Sequence, residues 1–417
     1  MDKALSLADL RAARERFGAL VRRTPLLHST ALSRSLRSEV FLKAENLQHT
    51  GSFKVRGASN RIALLSDEQR DSGVVAASAG NHAQGIAVVA TASGVEATIV
   101  MPTTAPLAKV EATRSYGADV ILVGRDYKEA AEYAREVAGR ASGPTLIHAF
   151  NDAAVIAGQG TLGIELLEDL PDVDNVLIPV GGGGLAGGMA LAFKTLAPRV
   201  RVYGVQASAA SAVAQSFAAG QIVSSDPGAT LADGIAVSAP GPLTFPLITR
   251  YLDGMITVDE EQISQAIVFL LERSRLIVEG AGAVGVAAIL GGHFSEKGKT
   301  AVVLTGGNLD INVLARIVEH GLTHAGRYFR LRVGLDDRPG RLSQLLQLVA
   351  DNGANVITVG HQRAGVDLPV GRVEVELLLE ARSSAHCDEI MAALAQGGFR
   401  RREAPGSSVL FVPATWG

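Results

Sequence analysis

One lysine stands in a segment whose composition suits covalent chemistry. Lys54 lies in the run ENLQHTGSFKVRGA, residues 45–58, directly after Gly51, Ser52 and Phe53 and before a helix-like stretch. A lysine that is desolvated among small and apolar neighbours is partly neutral, so its amine can form a Schiff base with a carbonyl compound. On spacing alone a solvated surface lysine fits the same residues, so the interpretation depends on the other motifs.

A polar loop, SAGNHAQG at residues 78–85, stands between a strand candidate and a helix candidate. Backbone N–H groups at such a helix start can receive an anion, for example a substrate carboxylate. Asn81 could hydrogen-bond a ligand, or it could cap the helix with Gly80 as a turn residue. For His82 the pattern favours a capping or packing role.

Four consecutive glycines occur in PVGGGGLAGG, residues 179–188, between another strand and helix. Such a run offers a cradle of N–H groups for a phosphate. It also contains a GxGxxG match at Gly182, Gly184 and Gly187, which could indicate an NAD-dependent dehydrogenase. A dinucleotide fold needs an acidic residue about 20 positions further on, at the end of the next strand. Because that strand ends with Gln206, a single phosphate is favoured over a dinucleotide.

The segment VLTGGN, residues 303–308, ends a further strand candidate. Thr305 could offer its hydroxyl to a ring nitrogen there, although a threonine in this position is also compatible with a purely structural role.

Short apolar strand candidates alternate with Ala-rich helical segments through most of the chain. The predicted strands are 40–45, 73–78, 96–101, 119–124, 175–180, 201–207 and 300–305. The predicted helices are 6–22, 82–92, 106–116, 126–139, 152–168, 185–196 and 259–274. This alternation predicts parallel sheets with helices on both faces, and ligands bind at the carboxyl ends of the strands in such sheets. The glycine motifs follow strands, so those ends should carry the site.

The pattern changes near residue 325. A strand from Tyr328 is followed by the turn DDRPG, a helix ending at Gly353, two strands, a second helix and a last strand near 408–412. This order, βαββαβ, predicts a ferredoxin-like module of about 90 residues. Because the final lysine is Lys299, lysine chemistry must lie in the first part of the chain.

Composition excludes several classes of protein. The chain has 417 residues, 47% hydrophobic and 19% charged, with a net charge of −3 and interspersed signs. A nucleic-acid-binding protein would show a basic stripe. The single cysteine, Cys387, excludes an internal disulfide framework. The first residues lack an apolar signal core and the Gly/Ala-rich stretch 280–292 is too short to span a bilayer, so we expect a cytoplasmic protein without membrane contact.

Together and in this order, these segments resemble the threonine dehydratase family of fold type II pyridoxal-phosphate enzymes, and the tail with DDRPGRL at 336–342 resembles an ACT domain. The motifs that carry the resemblance are TPLLHSTALS (24–33), VFLKAENLQHTGSFKVRGA (40–58), SAGNHAQG (78–85), GGGGL (181–185), TLADGIAV (230–237) and TGGN (305–308). The resemblance implies an α/β catalytic domain of two open, mostly parallel αβα lobes over residues 1–325, the smaller lobe roughly 45–150. A ferredoxin-like ACT domain would follow over 326–417.

The same resemblance implies roles for particular residues. Lys54 would bind pyridoxal phosphate covalently, with Phe53 beside the ring. The remaining cofactor contacts would be Asn81 with the phenolic oxygen, Gly181, Gly182, Gly183, Gly184 and Leu185 with the phosphate, and Thr305 with the ring nitrogen, where the family more usually has serine. The substrate carboxylate would lie among Ser78, Gly80, Asn81 and His82.

The implied reaction is β-elimination of L-threonine to 2-oxobutanoate and ammonia, with L-serine to pyruvate as a side activity. The ACT domain implies allosteric control by an amino acid and a homodimer or homotetramer, although the tail could serve assembly alone. The pathway, isoleucine biosynthesis or catabolism, stays open. The alternatives are a serine-preferring dehydratase, a racemase of the same fold, and a non-catalytic amino-acid sensor.

Two departures from related enzymes narrow these choices. Serine racemases carry a second serine where this chain has Ala79, which disfavours racemization. Related enzymes place a divalent cation on a glutamate and an aspartate where this chain has Gln206 and Ala212. We therefore expect no carboxylate-bound metal, whereas a cation held by carbonyl groups stays open.

Overall fold

The computed structural model describes residues 5–324, 326–363, 370–402 and 409–413. The chain divides into two compact units, Met1–Asp310 and Ile311–Gly417. This division precedes helix Ile311–His324, whereas the boundary predicted from sequence, residue 325, follows that helix.

The first unit holds ten strands and thirteen α-helices among its described residues. The strands are β1 (Leu26–His28), β2 (Val40–Ala44), β3 (Val74–Ala77), β4 (Ala97–Met101), β5 (Asp119–Leu122), β6 (Thr145–Leu146), β7 (Asn175–Pro179), β8 (Arg201–Ala207), β9 (Gly254–Val258) and β10 (Thr300–Leu304). The helices are α1 (Leu7–Glu15), α2 (Thr30–Leu36), α3 (Lys54–Ala63), α4 (Asp67–Ser72), α5 (Asn81–Ala92), α6 (Leu107–Ser115), α7 (Tyr127–Ala138), α8 (Ala153–Asp169), α9 (Gly184–Leu196), α10 (Ala212–Ala219), α11 (Phe245–Tyr251), α12 (Glu260–Phe269) and α13 (Gly280–Leu290).

These strands form two sheets, one in each lobe. The larger sheet has the order β1-β2-β10-β7-β8-β9 and the smaller one β5-β4-β3-β6. Every described pairing is parallel except that of β1 with β2. The seven strands predicted for this region are confirmed. Strands β1, β6 and β9 were not predicted, because β1 and β6 span only three and two residues and so show no period.

Each lobe has its own apolar core, since parallel strands are covered by helices on both faces. In the smaller lobe Ile86 and Ile99 are fully buried, and in the larger lobe Ile178 and Phe193 are. The first helix is shorter than the predicted 6–22: it ends at Glu15, before Gly18. The prediction was too long because the apolar spacing continues past Glu15, whereas glycine at position 18 is unfavourable within a helix.

The second unit has a mixed five-stranded sheet with the order β12-β13-β11-β15-β14. Its elements are α14 (Ile311–His324), β11 (Tyr328–Asp336), α15 (Arg341–Asp351), β12 (Asn355–Gln362), β13 (Arg372–Glu380), α16 (Ser384–Gln396), β14 (Phe399–Arg402) and β15 (Val409–Pro413). The predicted βαββαβ order is confirmed, with β14 as an additional strand. Gly353 follows α15 with φ +73°, as expected of a glycine that ends a helix.

No helix in the described part of the chain combines the length and the hydropathy that crossing a membrane requires.

Candidate active site

The site residues predicted from sequence all line one cleft of the first unit. This cleft has a volume of about 680 Å³ and lies at the carboxyl ends of parallel strands of both lobes. The predicted residues among its lining are Phe53, Lys54, Ser78, Gly80, Asn81, His82, Gly181, Gly182, Gly183, Gly184, Leu185 and Thr305. Segments separated by up to about 250 positions in sequence therefore meet because the parallel strands that precede them end at the same edges.

Lys54 is the first residue of α3, and its amine points into the cleft. Nζ donates to the carbonyl oxygen of Ala149 at 3.2 Å and lies 5.1 Å from the centroid of the Phe53 ring. Burial lowers the pKa of Lys54 to about 8, and the carboxylate of Glu279 partly opposes this shift. A fraction of the amine is therefore neutral near pH 7.5, as nucleophilic attack on a carbonyl requires.

The lysine segment is tied to the strand end that carries Thr305. The N–H of Phe53 donates to the carbonyl oxygen of Thr305 at 3.1 Å, and Ser52 forms an isolated antiparallel bridge with Gly306. Two sequence motifs that are about 250 residues apart therefore have a fixed spacing within the site.

The amide of Asn81 has polar partners on both sides. Its Nδ2 donates to Glu279 Oε1 at 2.6 Å, and its Oδ1 accepts from Asn308 Nδ2 at 2.7 Å. Helix α5 begins at Asn81 itself, with Gly80 as the N-cap and no side-chain cap. The alternative of Asn81 as the helix cap is therefore wrong, and its side chain is available to the cleft.

His82 is buried and packs beside the small-lobe sheet. Its Nε2 lies 3.0 Å from the carbonyl oxygen of Ile147. Burial, followed by the nearby charge of Lys54, lowers the pKa of His82 to about 3, so the ring is neutral. The packing role that the sequence favoured is confirmed, although the ring also lines the cleft. Ser78 accepts a hydrogen bond from the N–H of Gly80 at 3.1 Å and so shapes the loop.

The glycine run forms an uncapped helix start. Gly183 is the N-cap of α9 with φ +94°, a conformation that favours glycine, and no side chain caps this end. A Cβ at Gly182 would overlap the ring of Phe150, so glycine is required there on packing grounds as well. Free N–H groups and the helix dipole favour an anion at this place, so the loop fits the phosphate of a cofactor.

Sequence patterns assigned no role to five residues that line the cleft: Phe150, Glu279, Asn308, Lys109 and Asp233. Glu279 directly precedes α13, and burial together with Asp233 raises the pKa of its carboxyl to about 7. One signal was available, because Asn308 ends the TGGN motif that follows β10. That Glu279 and Asn308 both contact Asn81 could not be predicted, because Asn81 is far from both in sequence.

Gln206 places an amide where related enzymes have a cation-binding carboxylate. Gln206 is buried, and its Oε1 accepts from the N–H of Ala214 at 2.8 Å. Within the described residues, no three His, Cys, Asp or Glu side chains come close enough to hold a metal ion.

Comparison with known proteins agrees with this geometry. The family described as "Pyridoxal-phosphate dependent enzyme" matches residues 19–306. An L-threonine ammonia-lyase of Thermotoga maritima is 48% identical over 398 residues, which are 95% of this chain and 99% of that protein.

Solved structures are similar over about three quarters of the chain. The processed form of threonine deaminase isoform 2 from Solanum lycopersicum is 36% identical, with a TM-score of 0.70 over 76% of this chain and 90% of that one. A maize serine racemase is 36% identical, with a TM-score of 0.71 over 77% of this chain and 99% of that one.

Proposed function

Because the chain belongs to the pyridoxal-phosphate dependent enzyme family, and within it to the threonine dehydratases, we propose that it converts L-threonine to 2-oxobutanoate and ammonia. Its cofactor is pyridoxal phosphate. The observation that carries the proposal is one cleft that combines the Lys54 amine, whose pKa is lowered, with an uncapped glycine helix start and the amide of Asn81.

The residues of the cleft fit the separate parts of the cofactor. Lys54 would bind it covalently, and Phe53 would lie beside its ring. The loop Gly181–Gly184 with Leu185 would hold the phosphate, Asn81 would contact the phenolic oxygen, and Thr305 would meet the ring nitrogen. When bound, the cofactor supplies an electron sink for the electrons released at the substrate α-carbon.

Lys54 is the group that moves a proton in this proposal. With substrate bound, the lysine amine would take the α-proton, and its lowered pKa keeps it partly unprotonated near neutral pH. The C–H bond at the α-carbon and the C–O bond at the β-carbon break, and the hydroxyl leaves as water. Hydrolysis of the resulting enamine, after tautomerization, consumes water and releases 2-oxobutanoate and ammonia.

The hydroxyl of Thr305 influences which reaction follows proton removal. A neutral hydroxyl does not hold a proton on the ring nitrogen as a carboxylate would. At this position it would leave the ring nitrogen unprotonated, which would favour loss of the β-hydroxyl over transamination.

The loop of Ser78, Gly80, Asn81 and His82 would hold the substrate carboxylate. Helix α5 has twelve residues and begins at this loop without a side-chain cap, so its N–H groups and dipole favour an anion. Neutral His82 adds no positive charge, so recognition would depend on hydrogen bonds from the backbone and the polar side chains.

The decisive experiment compares Lys54→Ala with wild type. We expect purified wild-type enzyme to show the visible absorption of bound pyridoxal phosphate and to form 2-oxobutanoate from L-threonine, and Lys54→Ala to lose both. Lys297→Ala, which changes an exposed lysine outside the cleft, should retain both. A Lys54→Ala enzyme with near wild-type turnover would refute the proposal, as would wild-type protein without ketoacid formation. Parallel assays with L-serine measure the proposed side activity.

Racemization is the second candidate, favoured by the similarity to a serine racemase structure. Serine racemases carry a second serine at the position of Ala79, and an alanine has no hydroxyl that could exchange a proton there. We therefore expect no D-serine from L-serine by chiral chromatography, and substantial D-serine would make racemization the better assignment.

We further propose that the second unit is an ACT domain through which an amino acid regulates the enzyme, and that the protein is a cytoplasmic homodimer or homotetramer. The ferredoxin-like sheet and the turn at Asp336–Gly340 support this proposal. Screening amino acids against the full chain by thermal shift and by initial rate tests it, because a ligand of the native state raises its stability. If neither measurement responds to any amino acid, the regulatory proposal fails while the catalytic one stands.

A further inference from the structure

One buried acid of the cleft has no part in the proposed reaction. Glu279 is 6% exposed and directly precedes α13, shortly after a π-helical turn at Leu270–Ser274. Its backbone is held by a bond from its N–H to the carbonyl oxygen of Gly306 at 3.0 Å. A Cβ at Gly306 would overlap Glu279 Oε1, so the glycine provides the space through which the carboxyl group reaches the cleft.

The side-chain amide of Asn81 needs hydrogen-bond partners such as Glu279 to fix its orientation. The oxygen and nitrogen ends of an asparagine amide have almost the same shape, so only hydrogen-bond partners determine which end faces a ligand. Asn308 Nδ2 donates to Asn81 Oδ1 at 2.7 Å, and Glu279 Oε1 accepts from Asn81 Nδ2 at 2.6 Å. Above about pH 7, where the carboxyl group of Glu279 is mostly ionised, it only accepts. It then admits only the nitrogen end of the amide, and the second N–H of that nitrogen is left for a ligand.

The orientation of Asn308 is in turn fixed by acceptors. Its Nδ2 lies 2.8 Å from the carbonyl oxygen of Thr50 and 3.1 Å from Gln84 Oε1. A backbone carbonyl cannot reverse its polarity, so the Thr50 contact fixes Asn308, and Asn308 with Glu279 fixes Asn81.

We propose that Glu279 is a positioning residue that holds the Asn81 amide with its nitrogen toward the phenolic oxygen of bound pyridoxal phosphate. This inference rests on the proposed cofactor contact of Asn81. Glu279 does not touch the reacting atoms: together with Asn308 it fixes the direction of a donor, by holding the nitrogen end of the Asn81 amide while Asn308 holds its oxygen end.

Ionised Glu279 is unfavourable at this buried position, so keeping it there lowers the free energy of unfolding at neutral pH. Burial and Asp233 raise the pKa of its carboxyl to about 7, while Asn81, Lys109 and Lys54 act in the opposite direction. The folded state therefore holds more protons than the unfolded state between about pH 4.5 and pH 7. By linkage, the stability that this group contributes is present below about pH 4.5 and is lost as the pH rises through 7.

The test uses Glu279→Gln, whose side chain has the same shape but can present either a donor or an acceptor. We expect about tenfold weaker binding of pyridoxal phosphate, as for loss of one charge-assisted hydrogen bond, measured by titration of cofactor-depleted enzyme. We also expect an altered position or pH dependence of the visible band of the bound cofactor. The thermal midpoint of the cofactor-free variant should fall less between pH 5 and pH 8 than that of wild type.

A second variant guards against a simple folding defect. Asn308→Asp presents an acceptor to Asn81 Oδ1 and should also weaken cofactor binding, whereas Glu136→Gln, at an exposed ion pair with Arg140, should change neither measurement. Unchanged cofactor affinity and absorption in Glu279→Gln would overturn the proposal. Failure of wild-type protein to bind the cofactor at all would instead refute the proposed function, so the two failures are distinguishable.

Discussion

Lys109 and Asp233 form an ion pair of 2.9 Å that joins the two lobes at the mouth of the cleft. The lysine belongs to α6 of the smaller lobe, and the aspartate begins a 3₁₀ turn, Asp233–Ile235, that follows β8 of the larger lobe. The two side chains are 25% and 63% exposed. A pair so accessible to water contributes less than about 1 kcal/mol to the free energy of unfolding. We therefore expect its loss to affect how readily the cleft opens rather than the stability of the fold.

The first prediction concerns this pair. Lys109→Ala and Asp233→Asn should each raise KM for threonine several-fold with little change in thermal midpoint, because each removes the same link between the lobes. The double variant should be no worse than the single ones, which steady-state kinetics at low and high salt can establish. Lys299→Ala, which breaks an exposed pair with Asp172 away from the cleft, is the matched control. Multiplied effects in the double variant would show that the two side chains act independently.

A second prediction concerns the buried charges beside the lysine segment. Arg56, two residues after Lys54, pairs with Glu45 at 2.7 Å and with Glu165 at 2.9 Å, and all three side chains are almost fully buried. Lys43, also buried, contacts Glu165 at 2.7 Å. Removing one partner of such a network leaves unpaired buried charge, which typically lowers the free energy of unfolding by about 3–5 kcal/mol.

Arg56→Met should therefore unfold at markedly lower urea concentration than wild type. Arg125→Met, which breaks the exposed pair with Glu129, should change the free energy of unfolding by less than about 1 kcal/mol. Equal shifts in the two variants would mean that the buried network adds nothing beyond a surface pair.

Elements that carry their signal within a few residues could be predicted from the sequence, whereas contacts between distant segments could not. Strands such as β7 and β8 could be predicted because apolar runs bounded by turn residues carry their signal within a few positions. Strand β6, with two residues, has no such signal and exists because β3 offers it a partner. The cofactor motifs could be placed because each follows a predicted strand.

The partners of the motif residues could not be predicted in the same way. Glu279 and Asn81 are separated by 198 positions, and their contact depends on how the two lobes close around the cleft. The sequence left Asn81 open between a ligand contact and a helix cap, because both roles suit an asparagine before a helix. Only the three-dimensional positions of Glu279 and Asn308 show where its amide is directed.

A third prediction follows from the packing of the glycine loop. Gly182→Ala would force a methyl group into the ring of Phe150, and overpacking of this kind lowers stability by about 1–3 kcal/mol. Because the loop must move to relieve the overlap, we also expect weaker binding of pyridoxal phosphate. Phe150→Ala in the same chain should restore part of both losses. Gly18→Ala, where a Cβ meets nothing within 4 Å, should be neutral. A Gly182→Ala enzyme with wild-type stability and cofactor affinity would refute this account of the loop.

The last prediction concerns metal dependence. Gln206 holds the turn after β8 by accepting a hydrogen bond from the N–H of Ala214. Related enzymes carry a cation-binding carboxylate at this position. A neutral amide cannot supply the charge that a divalent cation prefers. Activity should therefore survive dialysis against EDTA and should not rise when Mg²⁺ or Ca²⁺ is added back. The sharper test is Gln206→Glu, which places a buried carboxylate at this turn and should lower the thermal midpoint without metal, because an unpaired buried charge is unfavourable. If EDTA abolishes wild-type activity and Mg²⁺ restores it, carbonyl oxygens must bind a cation that the side chains alone do not indicate.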